Sequence, residues 1–112
     1  MISKNLMAAS TKPMILSILE RGEFYGYEII QRIIDLSGGT LEWSEGMLYP
    51  VLHRMERDLL VRSRWKIMDN GRKRKYYVLT DRGRRELEAD RKEWLSVHKV
   101  FTELWDASAA YD

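Results

Sequence analysis

The hydrophobic period of this chain changes twice along its length, and that limits the folds open to it. Between residues 61 and 68, Val61, Ser63, Trp65 and Ile67 alternate with Arg62, Arg64, Lys66 and Met68, which is the two-residue period of a strand. Residues 75–79 form a second run rich in Tyr and Val, and Asn70-Gly71 between the runs offers the positive φ angles of a tight hairpin. Before and after this hairpin the apolar residues recur at helical spacing. The fold class expected is therefore mainly α with a small β wing.

Four helices are predicted around the hairpin. In the first, residues 4–21, Met14, Ile15, Ile18 and Leu19 share a face; Pro13 either kinks it or marks a later start near Thr11-Lys12. The second, residues 25–36, turns Ile29, Ile30, Ile33 and Ile34 inward and stops at Ser37-Gly38-Gly39. Leu41 and Trp43 then alternate with Thr40 and Glu42 as in a short strand, and Ser44 offers an N-cap to a third helix over residues 44–57. In that helix Gly46 costs about 1 kcal/mol relative to Ala, and Pro50 crowds the carbonyl of residue 46, so a distorted first turn is expected. The last helix, residues 81–106, carries Leu87, Trp94, Val97, Phe101 and Leu104 on a seven-residue pattern that Leu95, His98 and Trp105 widen. Its second half has no partner left in its own chain, which points to a dimer interface at Trp94, Val97, Phe101, Leu104 and Trp105.

Composition narrows the function classes. A chain of 112 residues has room for one domain, or for a small domain plus an extension that finishes its burial on a second subunit. The absence of Cys excludes disulfides, thiolate metal sites and Cys nucleophiles, and fits an intracellular setting. No apolar run approaches the roughly 20 residues that span a bilayer, and the N-terminus lacks a signal-like apolar stretch, so a cytoplasmic protein with no membrane partner is expected. The net charge is only +2, but between Arg62 and Lys75 seven Lys or Arg residues face one Asp. For a nucleic-acid partner the local field matters more than the total.

Three helices, a hairpin with a basic tip and a further helix make a winged helix-turn-helix, expected over residues 1–80, with residues 81–112 as a C-terminal dimerisation helix. In that arrangement the third helix enters the major groove and the wing holds phosphates. The candidate DNA-binding residues are Ser44, Gly46, Tyr49, His53 and Arg54 on the helix and Arg72, Lys73, Arg74 and Lys75 on the wing. Alone, a run of four cations is more often a solvated loop; beside a helix bearing Tyr49, His53 and Arg54 it supplies phosphate anchors next to base readers. Gly46 has two readings, as a small residue against a neighbouring helix or as a site of close approach to a phosphate at a helix N-terminus. His53 is the weakest of the set.

The segments Tyr25-Gly26-Tyr27-Glu28-Ile29, Gly46-Met47-Leu48-Tyr49-Pro50-Val51-Leu52-His53-Arg54-Met55-Glu56 and Arg74-Lys75-Tyr76-Tyr77-Val78-Leu79-Thr80 resemble, in order and spacing, the signature segments of PadR-type transcriptional regulators. The single long C-terminal helix is similar to the short branch of that family. The resemblance implies a bacterial homodimeric repressor that binds double-stranded DNA at an inverted-repeat operator and is released by a small effector or stress signal. It also implies that Trp94-Leu95-Ser96-Val97-His98-Lys99-Val100 lies at the dimer interface, where an aromatic at the Trp94 position in a multidrug-responsive branch stacks on flat ligands; Trp94 is otherwise a plain interface anchor. One departure stands out: Asp58-Leu59-Leu60 replaces the family's Asp-Gly-Leu, so a left-handed turn at Leu59 costs about 1 kcal/mol or more.

An enzyme is not expected. His53 and His98 lie on different elements with no nucleophile and base arranged around them, and neither a metal-ligand spacing nor a phosphate-binding Gly-rich loop appears, so no cofactor or metal is predicted. Two other readings are a protein-interaction adaptor on a winged-helix scaffold and a multidrug sensor holding a small aromatic effector between paired Trp94 side chains. The basic wing speaks against the adaptor, which has no use for four adjacent cations.

Overall fold

The computed structural model describes residues 2–106, so residues 107–112 of the expected C-terminal unit lie outside the described residues. Helix α1 spans Lys4–Leu19, strand β1 Phe24–Tyr25, helix α2 Gly26–Leu36, helix α3 Glu45–Arg57, strands β2 Val61–Ile67 and β3 Lys73–Leu79, and helix α4 Asp81–Trp105. The three strands form one antiparallel sheet in the order β1-β3-β2.

Helix α1 starts at Ser3, whose hydroxyl accepts from the Leu6 N–H, and runs through Pro13 without a break. An interior proline costs about 3 kcal/mol, and here the burial of Ile15, Leu16, Ile18 and Leu19 offsets it. The later start near Thr11-Lys12 therefore gives way to a helix that continues from Lys4 through Pro13, and it ends two residues earlier than predicted. Helix α2 begins one residue later than expected because Tyr25 belongs to β1; the Glu28 carboxylate accepts from the Tyr25 N–H and holds that junction.

The short strand expected at residues 40–43 does not form. Leu41 and Trp43 are both buried, which accounts for their alternation, but the segment is tied by side chains: Ser37 Oγ accepts from the Leu41 N–H, and the Trp43 indole N–H points at the Met7 sulfur, 3.2 Å away. The free edge of β3 is taken by Phe24 and Tyr25 instead, paired with Tyr77 and Tyr76. Alternation reports one-sided burial, and a strand additionally needs a free partner edge.

At the hairpin tip only Gly71 adopts a positive φ; Asn70 instead accepts the Arg72 N–H on its side-chain oxygen. The bonds from the Gly71 N–H to the Met68 carbonyl and from the Met68 N–H to the Arg72 carbonyl make a turn with a glycine bulge. Strand β3 consequently begins at Lys73, two residues before the sequence expectation.

The core lies where α1, α2 and α3 meet the base of the sheet, around Leu16, Ile29, Leu48, Leu52, Val61 and Tyr77. Leu87 of α4 joins it, and Lys12 of α1 reaches Glu86 at 2.7 Å and Asp90 at 3.3 Å. Beyond Arg91 every described residue of α4 is exposed. The molecule measures 65 × 29 × 21 Å with a radius of gyration of 16.7 Å, against about 13 Å for a compact domain of this length; the excess is the projecting end of α4.

Candidate nucleic-acid interface

Helix α3 continues from Glu45 through Gly46 and Pro50 to Arg57, and in its first turn the Ser44 carbonyl accepts from both the Met47 N–H at 3.2 Å and the Leu48 N–H at 3.0 Å. Ser44 caps it, accepting from the Met47 N–H at 3.2 Å, and the exposed residues Ser44, Glu45 and Gly46 surround its N-terminus. A Cβ added to Gly46 would meet only the Ser44 hydroxyl, 3.9 Å away. Packing inside the subunit therefore does not require glycine there.

The helix ends at Asp58 with Leu59 at φ 62°. The Leu59 N–H bonds to the Glu56 carbonyl at 3.1 Å and the Leu60 N–H to the Met55 carbonyl at 2.9 Å, the paired closure of a Schellman cap. Thr80 locks the turn from the other side, its hydroxyl donating to the Leu59 carbonyl at 2.6 Å. The path from α3 into the wing thus follows the left-handed route even without glycine.

Tyr49 is half-buried. Its hydroxyl presses on Gly26 at the start of α2, where an added Cβ would fall 2.5 Å from the oxygen. It has no hydrogen-bond partner among the described residues, and burial, with the Glu45 charge, holds its pKa above 10. His53 is exposed one turn further on, its ring 6.4 Å from that of Tyr49, and Arg54 is exposed beside it.

A crevice runs between this face of α3 and the wing, lined by Tyr27, Tyr49 and His53 on one side and Trp65, Lys73 and Lys75 on the other. The four wing cations have different surroundings. Arg72 and Lys73 are exposed and, among the described residues, in no ion pair. Arg74 lies over the Tyr25 ring, 4.1 Å from its centre. Lys75 is partly covered and reaches Glu56 at 3.6 Å. Glu56 also accepts from the Ser63 hydroxyl; that bond, with the Lys75 charge, outweighs burial and keeps its carboxyl below the ordinary carboxylate range. At the floor, the buried Tyr77 hydroxyl is pushed up to about 12, first by its burial and then by Glu56 and Tyr49.

The structure therefore brings Tyr49, His53, Lys73 and Lys75 to one crevice, with Arg74 bordering it and Arg72 at its outer end near the hairpin turn. Ser44 and Gly46 stand at the start of α3, while Arg54 faces a neighbouring groove between α1 and α3. Tyr25, Tyr27, Trp65 and Glu56 are not among the candidate DNA-binding residues read from the sequence, although Tyr25, Tyr27 and Glu56 lie in the segments that carry the family resemblance. Trp65 was legible, since it pairs with Lys75 across the hairpin; the roles of Tyr25 and Glu56 depend on contacts between distant elements. On α4, Trp94, Val97, Phe101, Leu104 and Trp105 are all exposed, and Phe101 stacks on Trp105 at 4.7 Å.

A helical bundle whose third helix is followed by a basic antiparallel hairpin is a winged helix-turn-helix of the DNA-binding type. The sequence profile of the transcriptional regulator PadR-like family matches residues 15–89. The chain is 29% identical over 92 residues to the negative transcriptional regulator PadR of Bacillus subtilis, covering 82% of this chain and 48% of that protein. It is 35% identical over 89 residues to a transcriptional regulator of Mycobacterium tuberculosis, covering 80% and 79%. Over an 80-residue match it spans only 37% of the Escherichia coli regulator YqjI. Among solved structures, the PadR-like regulator of Bacillus cereus superposes with a TM-score of 0.82 at 30% identity, covering 94% of this chain and all of that one. A transcriptional regulator from Clostridium thermocellum gives 0.83 at 26%, covering 95% and 100%. The chain belongs to the PadR-like family of DNA-binding transcriptional regulators. No described helix is long and apolar enough to cross a membrane.

Proposed function

We propose that this chain is a homodimeric, sequence-specific repressor acting in the bacterial cytoplasm, with residues 1–80 binding DNA and residues 81–112 pairing the subunits. The observation that carries this reading is the convergence of the exposed face of α3 and the unpaired cations Arg72 and Lys73 on one side of the molecule. Ser44, Gly46, Tyr49, His53 and Arg54 approach the major groove. Arg72, Lys73, Arg74 and Lys75 hold phosphates, Lys75 exchanging its contact with Glu56 for one with DNA. With only the Ser44 hydroxyl, among the described residues, within 4 Å of an added Cβ, Gly46 lets a phosphate come close to the backbone N–H groups of the first turn.

The apolar face of α4 supports the dimer. Five large apolar side chains along its projecting end would remain in water in a lone subunit. Two copies joined there present paired α3 helices to one face of B-DNA, so the operator is an inverted repeat with half-sites about 34 Å apart. Selection of bound duplexes from a random pool tests both parts: a palindrome of that spacing is the expected result, and enrichment of no sequence would overturn the reading. Replacing Arg72 and Lys73 by Ala should weaken binding to every duplex and reduce the slope of log K against log salt by about 1.8, at roughly 0.9 per lost phosphate contact.

Release by a small aromatic effector has its own support in a groove of about 540 Å³ between α1, α2 and α4, where Pro13, Met14, Leu36, Trp94 and Leu95 line the wall. Flat aromatic dyes should quench tryptophan fluorescence in the unaltered protein and fail to do so in Trp94→Ala; equal quenching would remove Trp94 from the site.

A further inference from the structure

The outer half of the wing has little apolar burial to hold it. Trp65 is 63% exposed and Ile67 75% exposed, on the same face of β2. A two-stranded hairpin of this kind is marginal by itself, so its direction relative to α3 depends on contacts made nearer its base. Besides the buried Val61, Tyr77 and Leu79 at that base, two carboxylates supply them, one on each face of the sheet.

On the face toward α3, Glu56 bonds Ser63 of β2 and pairs with Lys75 of β3. On the opposite face, Glu23, the residue before β1, pairs with both Arg64 and Lys66 of β2. To reach them it spans β3, where Tyr76 lies between Tyr25 and Arg64 in the ladder and carries the Lys66 ammonium 4.4 Å from its ring centre. One side chain thus ties β2, across β3, to the connection between α1 and α2. Lys66, ahead of Arg64, keeps the Glu23 carboxyl below its ordinary range.

We propose that Glu23 is a positioning residue for DNA binding: acting against Glu56 on the other face, it fixes the angle of the wing to α3, so that phosphate contacts of the wing and base contacts of α3 are made together. The inference rests on the DNA-binding reading above. A simpler role is available to Glu23, since a carboxylate beside two cations also lowers the charge presented to DNA. The two roles separate in variants that cut the tie while moving the net charge in opposite directions.

Glu23→Gln adds one positive charge, and the double variant Arg64→Gln/Lys66→Gln removes two. Affinity is to be measured for the duplex that the unaltered protein selects and for a scrambled duplex of the same composition, across a salt series. Positioning predicts that the selected-to-scrambled ratio falls about tenfold in both variants, while the salt slope steepens in the first and flattens in the second. A ratio preserved in either variant would overturn the proposal and leave charge neutralisation as the role of Glu23.

A second readout needs no DNA, so failure of the DNA-binding reading is distinguishable from failure of this one. In the free protein, amide hydrogen exchange across β2 and β3 outside the tip should quicken several-fold in both variants while α3 keeps its protection. Unchanged exchange in the hairpin would likewise overturn the proposal. Glu56→Gln, cutting the tie on the other face, should reproduce the fall in ratio, and a preserved ratio there would remove Glu56 from the pair.

Discussion

Leu59 is the one described non-glycine residue with a positive φ, and it sits on the connection from α3 to the wing. Its side chain is exposed, so replacing it removes little burial. Leu59→Gly should stabilise the protein by about 0.5 to 1 kcal/mol in urea unfolding, the relief of a left-handed side chain partly offset by the greater freedom of glycine in the unfolded chain. Gly26 and Gly83 are both tight, but against different neighbours. A Cβ at Gly83 would fall 2.1 Å from the Leu60 carbonyl oxygen, a backbone atom held by its bond from the Thr80 N–H. At Gly26 the obstacle is the far end of Tyr49, which can swing into the crevice. Gly83→Ala should therefore lower the unfolding free energy by about 1 to 3 kcal/mol, whereas Gly26→Ala costs less stability and mainly weakens DNA binding.

Among elements, the junction of α1 and α4 sets how the long helix leaves the domain. Lys12 bonds Glu86 and lies near Asp90, and Arg91 reaches Glu20 at 3.0 Å one turn later. Partial burial alone would lower the pKa of Lys12, but its bond to Glu86 and the charges of Asp90 and Glu86 carry it above 10.5. The Glu86 carboxyl is held below 4.5 by the bond from Lys12 and its charge. A lowered carboxyl contributes stability above its unfolded pKa and loses it as pH falls; a raised ammonium contributes below its unfolded pKa and loses it as pH rises. Lys12→Met should thus lower Tm at neutral pH, with the difference from the unaltered protein shrinking below pH 4.5 and again above 10.5. A constant difference across that range would show that packing, not charge, holds the junction.

For the whole molecule, the proposed dimer rests on the projecting end of α4. The 14 residues from Lys92 to Trp105 rise about 21 Å as helix; Trp94 and Leu95 line the groove against α1 and α2, while Val97, Val100, Phe101, Leu104 and Trp105 beyond them are exposed. Phe101→Glu should turn a dimer into a monomer by light scattering at micromolar concentration, while the circular dichroism of the winged-helix part persists. DNA affinity should fall steeply with it, because one subunit then grips one half-site and the gain from linked binding is lost.

How much of this was legible beforehand follows from the range of the forces involved. The helices of residues 26–36 and 45–57, the hairpin and the unpartnered stripe of α4 were readable from period and caps, because each depends on side chains within a few positions of one another. The choice at Pro13 was open in the sequence because the cost of an interior proline is local while the burial that offsets it comes from α2, α3 and α4. The strand expected at residues 40–43 failed for the converse reason: alternation is local, but the edge of β3 was already occupied by Phe24 and Tyr25. The basic tip was visible in sequence as four equivalent cations. Their division into the exposed Arg72 and Lys73, the stacked Arg74 and the paired Lys75 was decided only in three dimensions, by Tyr25 and Glu56, residues 49 and 19 positions away. The sequence by itself determined the four helices, the hairpin and where positive charge accumulates; tertiary structure decided which segment adds the third strand and which charges remain free for a partner, because strand pairing and ion pairing act through space and not along the chain.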